Sequence, residues 1–186
     1  MEADAAKIKG AMLGNWESIA PEIRPSRNPD GSLKPFYLKR AFKYLPSDRF
    51  ELDVVNSADP YGAVPLARIK IGGHMLWQGS HPIAPGAQKV DFIADELRSH
   101  SLVQGFADVL NKVAWAGYVP WAVNSPQSIF GKTFAPFALK EGTNFMSTTS
   151  STSGAIFCSG APAPTDGPEV TLGLRIVDPL RRIFHG

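Results

Sequence analysis

The stretch Phe36-Tyr37-Leu38-Lys39-Arg40-Ala41-Phe42-Lys43-Tyr44-Leu45-Pro46-Ser47-Asp48-Arg49-Phe50-Glu51-Leu52-Asp53-Val54-Val55 alternates on both sides of a turn. Phe36, Leu38, Phe42 and Tyr44 share a face with Arg40, and Lys39 and Lys43 share the other, which is the period of two that marks a half-buried strand. Pro46, Ser47 and Asp48 supply turn chemistry, and Phe50, Leu52 and Val54 then alternate with Arg49, Glu51 and Asp53. The two runs predict an antiparallel hairpin. Its register is pinned, because a slip of one residue would turn every apolar side chain to water.

The same rhythm extends outward. Residues 12–24 predict a first strand with Trp16 near its start and Pro21 at a bend or edge, followed by a loop over 25–35 rich in Pro, Asn, Asp and Gly. Beyond the hairpin, Ala67, Ile69 and Ile71 share a face, Gly72-Gly73 takes the place of a two-residue hairpin loop, and residues 74–78 predict the returning strand. After a Pro- and Gly-containing loop, Val90, Phe92 and Ala94 alternate again. This makes about seven short strands up to Asp95, a spacing that favours an antiparallel meander or barrel over a βαβ fold. One segment departs from it. Leu102, Val103, Phe106, Val109, Leu110 and Val113 recur at three- and four-residue spacing, predicting an amphipathic helix from about His100 to Ala116, with Ser99 or Ser101 as cap and Gly117 at its stop. Shorter strand candidates follow at 118–121, 127–130 and 133–139.

Composition agrees with short strands and frequent turns. The 186 residues include 17 Gly and 16 Pro, an excess that excludes a long helical bundle, and 44% hydrophobic content supports one sizeable core. The formal net charge of +2 is too small for the electrostatic footprint of a nucleic-acid binder. A single cysteine, Cys158, excludes an internal disulfide framework and a multi-thiolate zinc site, and points to the cytoplasm. No run of about 18 apolar residues predicts a membrane span, and the N-terminus lacks the apolar core of a signal peptide.

Residues 147–153 are all Ser or Thr, and 154–168 are rich in Gly, Ala and Pro, so residues 8–146 read as a β-barrel domain and 147–186 as a weakly ordered, low-complexity tail.

Gly14-Asn15-Trp16 resembles the Gly-X-Trp signature that opens the first strand of lipocalins and the wider calycin group. With Trp16-Glu17-Ser18, Glu22-Ile23-Arg24-Pro25 and Tyr37-Leu38-Lys39-Arg40-Ala41-Phe42, the order resembles the adenomatosis polyposis coli down-regulated domain. Ile71-Gly72-Gly73-His74 and Pro85-Gly86-Ala87 are similar to a bacterial branch of that group. The resemblance covers residues 8–145. It implies a lipocalin-like barrel that shelters an acyl chain; the animal members are secreted and cysteine-rich, and this chain has no cysteine in the matching region, so their signalling role is not implied. In the bacterial relatives the stretch after Gly142-Thr143-Asn144-Phe145 is expected to continue as aromatic strands, where this chain has the hydroxyl tract. A reading frame displaced by one nucleotide from residue 147 onward accounts for that break, and a natural variable tail is the other account; the gene sequence across the Met146 codon separates them.

The expected function is noncatalytic binding of a small hydrophobic or amphipathic molecule, with Trp16, Arg24, Arg40, His74 and Trp77 as candidate contacts. Arg24 and Arg40 either hold a carboxylate head group in an apolar cavity, or one stacks on Trp16 while the other pairs with Glu22. His74, at a hairpin rim, is the best general-base candidate for the alternative function, a cavity enzyme (isomerase, cyclase or hydrolase) using a His and a carboxylate. A frameshifted chain would have no selected function in its tail. His74 and His81 with Asp91 or Glu96 form no recognised metal motif, and neither a phosphate loop nor a nucleophile elbow occurs, so no cofactor and no metal is expected.

Overall fold

The computed structural model describes residues 2–24, 30–32, 36–80, 88–112, 117–134, 146–152, 155–158 and 174–176. Their architecture is an antiparallel sheet with two helices. Helix α1 (Glu2–Met12) leads into β1 (Gly14–Ser18) and β2 (Glu22–Arg24), and the long strands β3 (Phe36–Leu45), β4 (Arg49–Ser57), β5 (Pro65–Ser80) and β6 (Gln88–Ser101) follow. Helix α2 (Gln104–Lys112) and the short β7 (Gln127–Ser128), β8 (Met146–Thr152), β9 (Ala155–Cys158) and β10 (Leu174–Ile176) complete it. The strand order is β10-β1-β3-β4-β5-β6-β8-β9, with β2 beside β3 and β7 beside β6. No ladder joins β9 to β10 among the described residues, so the sheet is not closed. None of the described helices is long and apolar enough to cross a membrane.

The hairpin from which the sequence was read is present in the expected register. Leu38, Arg40, Phe42 and Tyr44 lie opposite Asn56, Val54, Leu52 and Phe50, and Leu45 pairs with Arg49 across Pro46, Ser47 and Asp48. The single strand expected at 12–24 is two strands, both on β3, broken at residues 19–21 where Pro21 cannot donate to a ladder. Helix α1 had no counterpart in the sequence reading. Its Ala and Lys residues favour helix, but only Ile8 and Met12, four apart, reach the core, too few to show a period.

Gly72-Gly73 is not a hairpin loop. Both glycines lie inside the continuous strand β5, at a β-bulge: Gly72 faces Glu96, Gly73 faces Ala94, and Asp95 has no partner across the ladder. The glycines clear opposite faces of the sheet. A Cβ on Gly72 would stand 2.7 Å from the Glu96 carboxylate, whereas a Cβ on Gly73 would strike the Ile93 carbonyl oxygen and the Phe50 ring. Phe50 is the direct β4 neighbour of Gly73, so its ring covers the backbone that the missing side chain leaves bare.

The bulge also explains why β6 is longer than expected. Val90, Phe92 and Ala94 are buried at even positions, and past Asp95 the buried set moves to Leu97, Ser99 and Ser101. One inserted residue inverts the parity, so the second half of the strand does not continue the alternation of the first. Consequently His100 and Ser101 end β6 instead of starting the helix, which begins at Gln104. The expected serine cap is absent: Ser99 is fully buried in β6, and the Ser101 hydroxyl donates to the Val103 carbonyl (2.6 Å). Residues 113–116, the expected last turn, lie outside the described residues, and Gly117 has the positive φ (87°) of a helix stop.

Residues 118–121 are not a strand. Side-chain amides take the place of a ladder there: Asn111 receives the Trp121 N–H (2.7 Å) and donates to its carbonyl (2.9 Å), and Gln127 does the same for Val119 (3.1 and 2.9 Å). Of the candidate at 127–130 only Gln127 and Ser128 pair, with Ser99 and Arg98, and residues 135–139 lie outside the described set. Within the expected low-complexity tail, strand β8 (Met146–Thr152) runs antiparallel to β6 from Gln88 to Ile93.

One face of the sheet is the core. Phe42, Tyr44, Phe50 and Phe92 interlock there, with Phe42 stacked on Tyr44 (5.4 Å) and Phe50 edge-on to Phe92 (5.1 Å). Ile8 and Met12 of α1 and Ala107 and Leu110 of α2 pack onto the same cluster. The opposite face carries charges, with Lys43 opposite Glu51 and Arg68 ion-paired with Asp53 (3.2 Å).

Candidate ligand-binding site

Because the aromatic cluster fills the middle of the core face, open space is left at its margins. A cleft of about 350 Å³ lies where the end of α1 meets the β3–β4 turn and the outer half of β5. Its apolar walls include Met12, Leu13, Tyr44, Leu45, Met75 and Trp77, and among the described residues Lys9 and Asp48 are its only charged members. Trp77 reaches the cleft because β5 runs on past the bulge, keeping Trp77 on the face of Met75 (6% exposed) while Leu76 points outward (44% exposed).

Asp48 organises this corner. Its Oδ1 accepts from Trp77 Nε1 (3.0 Å), its Oδ2 from Lys9 Nζ (2.7 Å), and its backbone carbonyl from the Met75 N–H (2.7 Å). The Lys9 ammonium also stands 5.0 Å from the centre of the Trp77 ring, within cation–π range. Ser47 and Asp48 have φ of 61° and 55°, the left-handed region that non-glycine residues seldom adopt; the bonds at Asp48 hold the turn there. The arrangement combines an indole face, a fixed carboxylate and an apolar trough.

The other residues singled out from the sequence are elsewhere. Trp16 packs against the core and donates from Nε1 to the Met12 carbonyl (2.7 Å), pinning the end of α1. Arg40 lies on the core face at the far end of the sheet, its Nε 3.1 Å from Glu22 Oε1, with the side chains 11% and 5% exposed. Arg40 aligns through Val54 with Ile69, eight residues along β5 from Trp77, about 26 Å at a strand's rise. Arg24 lies in β2 opposite Phe36, and its side chain is outside the described set. His81 also lies outside the described residues.

His74 projects from the other face. Its Nδ1 is 2.9 and 3.1 Å from the two Asp95 carboxylate oxygens, and Arg49 donates to Asp95 Oδ2 (2.9 Å). An ionised carboxylate only accepts, so Nδ1 carries the proton and Nε2 keeps its lone pair while the ring is neutral. The bulge that frees Asp95 from the ladder turns it toward this histidine. Beside it, on the charged face, a groove of about 690 Å³ passes over Lys43, Glu51, Lys70, Gly72, Glu96 and Arg98. The sequence singles out Trp77 and His74 by residue type but gives no sign of the groups they touch, Lys9 and Asp48 at Trp77 and Asp95 at His74. Asp48 was legible as a turn residue, Lys9 carried no expectation, and no sequence spacing brings them together. Among the described residues no cluster of three or more His, Cys, Asp or Glu side chains is placed to hold a metal.

No known family model and no curated protein matches the chain. The functional reading therefore rests on this geometry.

A second titratable group on the charged face gives the fold a pH dependence. His100 is buried opposite Arg68, and its Nδ1 has no hydrogen-bond partner among the described residues. Burial first, then the Arg68 charge, holds its pKa below the ordinary 6.5, with Asp53 opposing. The unfolded chain therefore takes up this proton before the folded one does. The His100 contribution is complete above 6.5, falls as the pH drops below it, and levels off once the folded form is also protonated. Thermal melts of the wild type and His100→Gln at pH 7.5 and about 5 should show a larger drop for the wild type. Equal drops would remove His100 as the cause.

Proposed function

We propose that the sheet is a calycin-like barrel and that the protein binds, without catalysis, a small hydrophobic or amphipathic molecule with an acyl-type chain. The approach of β9 and β10, at the two ends of the strand order, to within 8 Å at Cα supports a closing sheet. The observation that carries the binding reading is the cleft itself: Trp77, half-buried and oriented by Asp48, forms one wall of an apolar trough whose volume falls in the range of small-ligand sites. Arg40 belongs to an internal ion pair in this reading and does not meet the ligand.

Titration with the neutral fluorescent probe N-phenyl-1-naphthylamine tests it. Saturable binding should weaken by about tenfold or more in Trp77→Ala, the loss of one large aromatic contact, and should survive in folded Arg40→Met. Equal affinity in the wild type and Trp77→Ala overturns the reading.

The His74–Asp95 contact favours a second reading, acid–base catalysis on the charged face with His74 Nε2 as the base; the groove on that face has neither His74 nor Asp95 in its described lining. Turnover of an activated ester that disappears in folded His74→Ala would support it, and turnover unchanged by that substitution would remove it.

A further inference from the structure

We infer that the Trp77 cleft takes an amphiphile with an ammonium head group, and that Lys9 occupies the head-group position in the free protein. This deepens the cleft reading and rests on it. A cation is recognised best by an aromatic face combined with an anionic acceptor. The cleft contains that pair in a fixed relation, because Asp48 is bonded through one carboxylate oxygen to the Trp77 N–H and directs the other to the Lys9 ammonium. The ammonium lies over the same indole ring, so one side chain of the protein makes both contacts that a bound cation would make.

Asp48 and Lys9 differ in how firmly they are held. Asp48 is fixed by its turn and by the Met75 N–H. Lys9 is the end of a flexible side chain, on a helix that contributes only Ile8 and Met12 to the described core, and it is 39% exposed against 38% for Asp48. An ion pair so open to water contributes little, so exchanging the lysine for another cation is a small step. With Lys9 turned away, Asp48 is the only charge among the described residues lining the cleft, and an alkyl chain attached to the incoming cation has Met12, Leu13, Leu45 and Met75 to cover.

Calorimetric titration of the full chain with dodecyltrimethylammonium and with dodecanoate, both below their micellar concentrations, tests the assignment. The Lys9→Met variant keeps the aliphatic stem over Trp77 and removes the competing charge. The cationic amphiphile should bind the wild type more tightly than the anionic one, and Lys9→Met should improve it by about threefold to tenfold. Asp48→Asn, checked for native circular dichroism, should weaken the cationic ligand by about tenfold, and by more than it weakens N-phenyl-1-naphthylamine; an equal loss for both ligands would overturn the head-group assignment. Tighter binding of dodecanoate, lost in Lys9→Met, would make Lys9 an anchor for anions and overturn the inference; equal binding of both amphiphiles would also overturn it. In those two cases the neutral probe still binds, and the cleft reading stands. A wild-type chain that binds none of the three ligands removes both.

Discussion

Gly73→Ala is expected to destabilise the protein by about 3 kcal/mol, the upper range for forcing extra volume into a packed core, and to lower its melting temperature by about 6 to 12 °C. The new methyl group meets two obstacles of different kinds, the Phe50 ring and the Ile93 carbonyl oxygen. A ring can rotate away, but the carbonyl belongs to the β6 backbone at a bulge, and moving it strains the β5–β6 ladder. Phe50→Leu combined with Gly73→Ala should therefore not restore stability. Its neighbour provides the control: a methyl group on Gly72 meets only the Glu96 side chain, whose carboxylate end is solvent-accessible, so Gly72→Ala should cost less than about 1 kcal/mol. Urea denaturation of the two variants measures the difference. Similar costs at both positions would mean that the glycines are not placed as described, and a negligible cost at Gly73 would restore the hairpin-loop reading of the pair.

Arg40→Ala is expected to cost about 3 kcal/mol, because it withdraws a cation from a carboxylate that water hardly reaches. The loss comes chiefly from what remains: Glu22, 5% exposed, would keep a charge in the interior. Substituting both partners by apolar residues of similar size, Arg40→Met with Glu22→Leu, removes that charge as well and should recover most of the stability. Arg40 also sits where β3 meets β1, its N–H bonded to the Ser18 hydroxyl at 3.0 Å, and both variants keep that backbone contact. A cost below about 1 kcal/mol for Arg40→Ala would show that Glu22 is adequately served by other groups. A double variant as unstable as the single one would show that the pair sets the local packing of β2.

The binding reading separates from these stability effects because Trp77, on β5, and Arg40, on β3, lie toward opposite ends of the core face of the sheet. Arg40→Met should change the urea midpoint and not the probe affinity, and Trp77→Ala the reverse in larger measure. A head-group site at Arg40, one of the two possibilities the sequence left open, would invert that pattern.

What could be read from the sequence follows the range of the forces involved. The β3–β4 hairpin was legible because alternation, turn residues and register are all local: Phe42 faces Leu52 for reasons contained within a dozen residues. The strand at Gly72-Gly73 was misread because glycine has the same local meaning in a turn as in a strand where another group approaches closely, and only Phe50 and Ile93 distinguish them. The extension of β6 was hidden by the inserted Asp95, which reverses parity. Trp77 and His74 stood out by residue type, but whether each was ligand contact, core or base depended on Asp48 and Asp95, one 29 and the other 21 residues away.

By itself, the sequence determined an antiparallel β-rich chain with one amphipathic helix after a run of strands, since periodicity and turn chemistry act between near neighbours. Tertiary structure decided which face Trp77 joins, where the bulge falls, that Arg40 is spent on Glu22, and that Lys9 reaches Asp48 across the end of the sheet. Those outcomes depend on contacts between segments that the chain brings together only when the strands pair, and no spacing along the sequence encodes them.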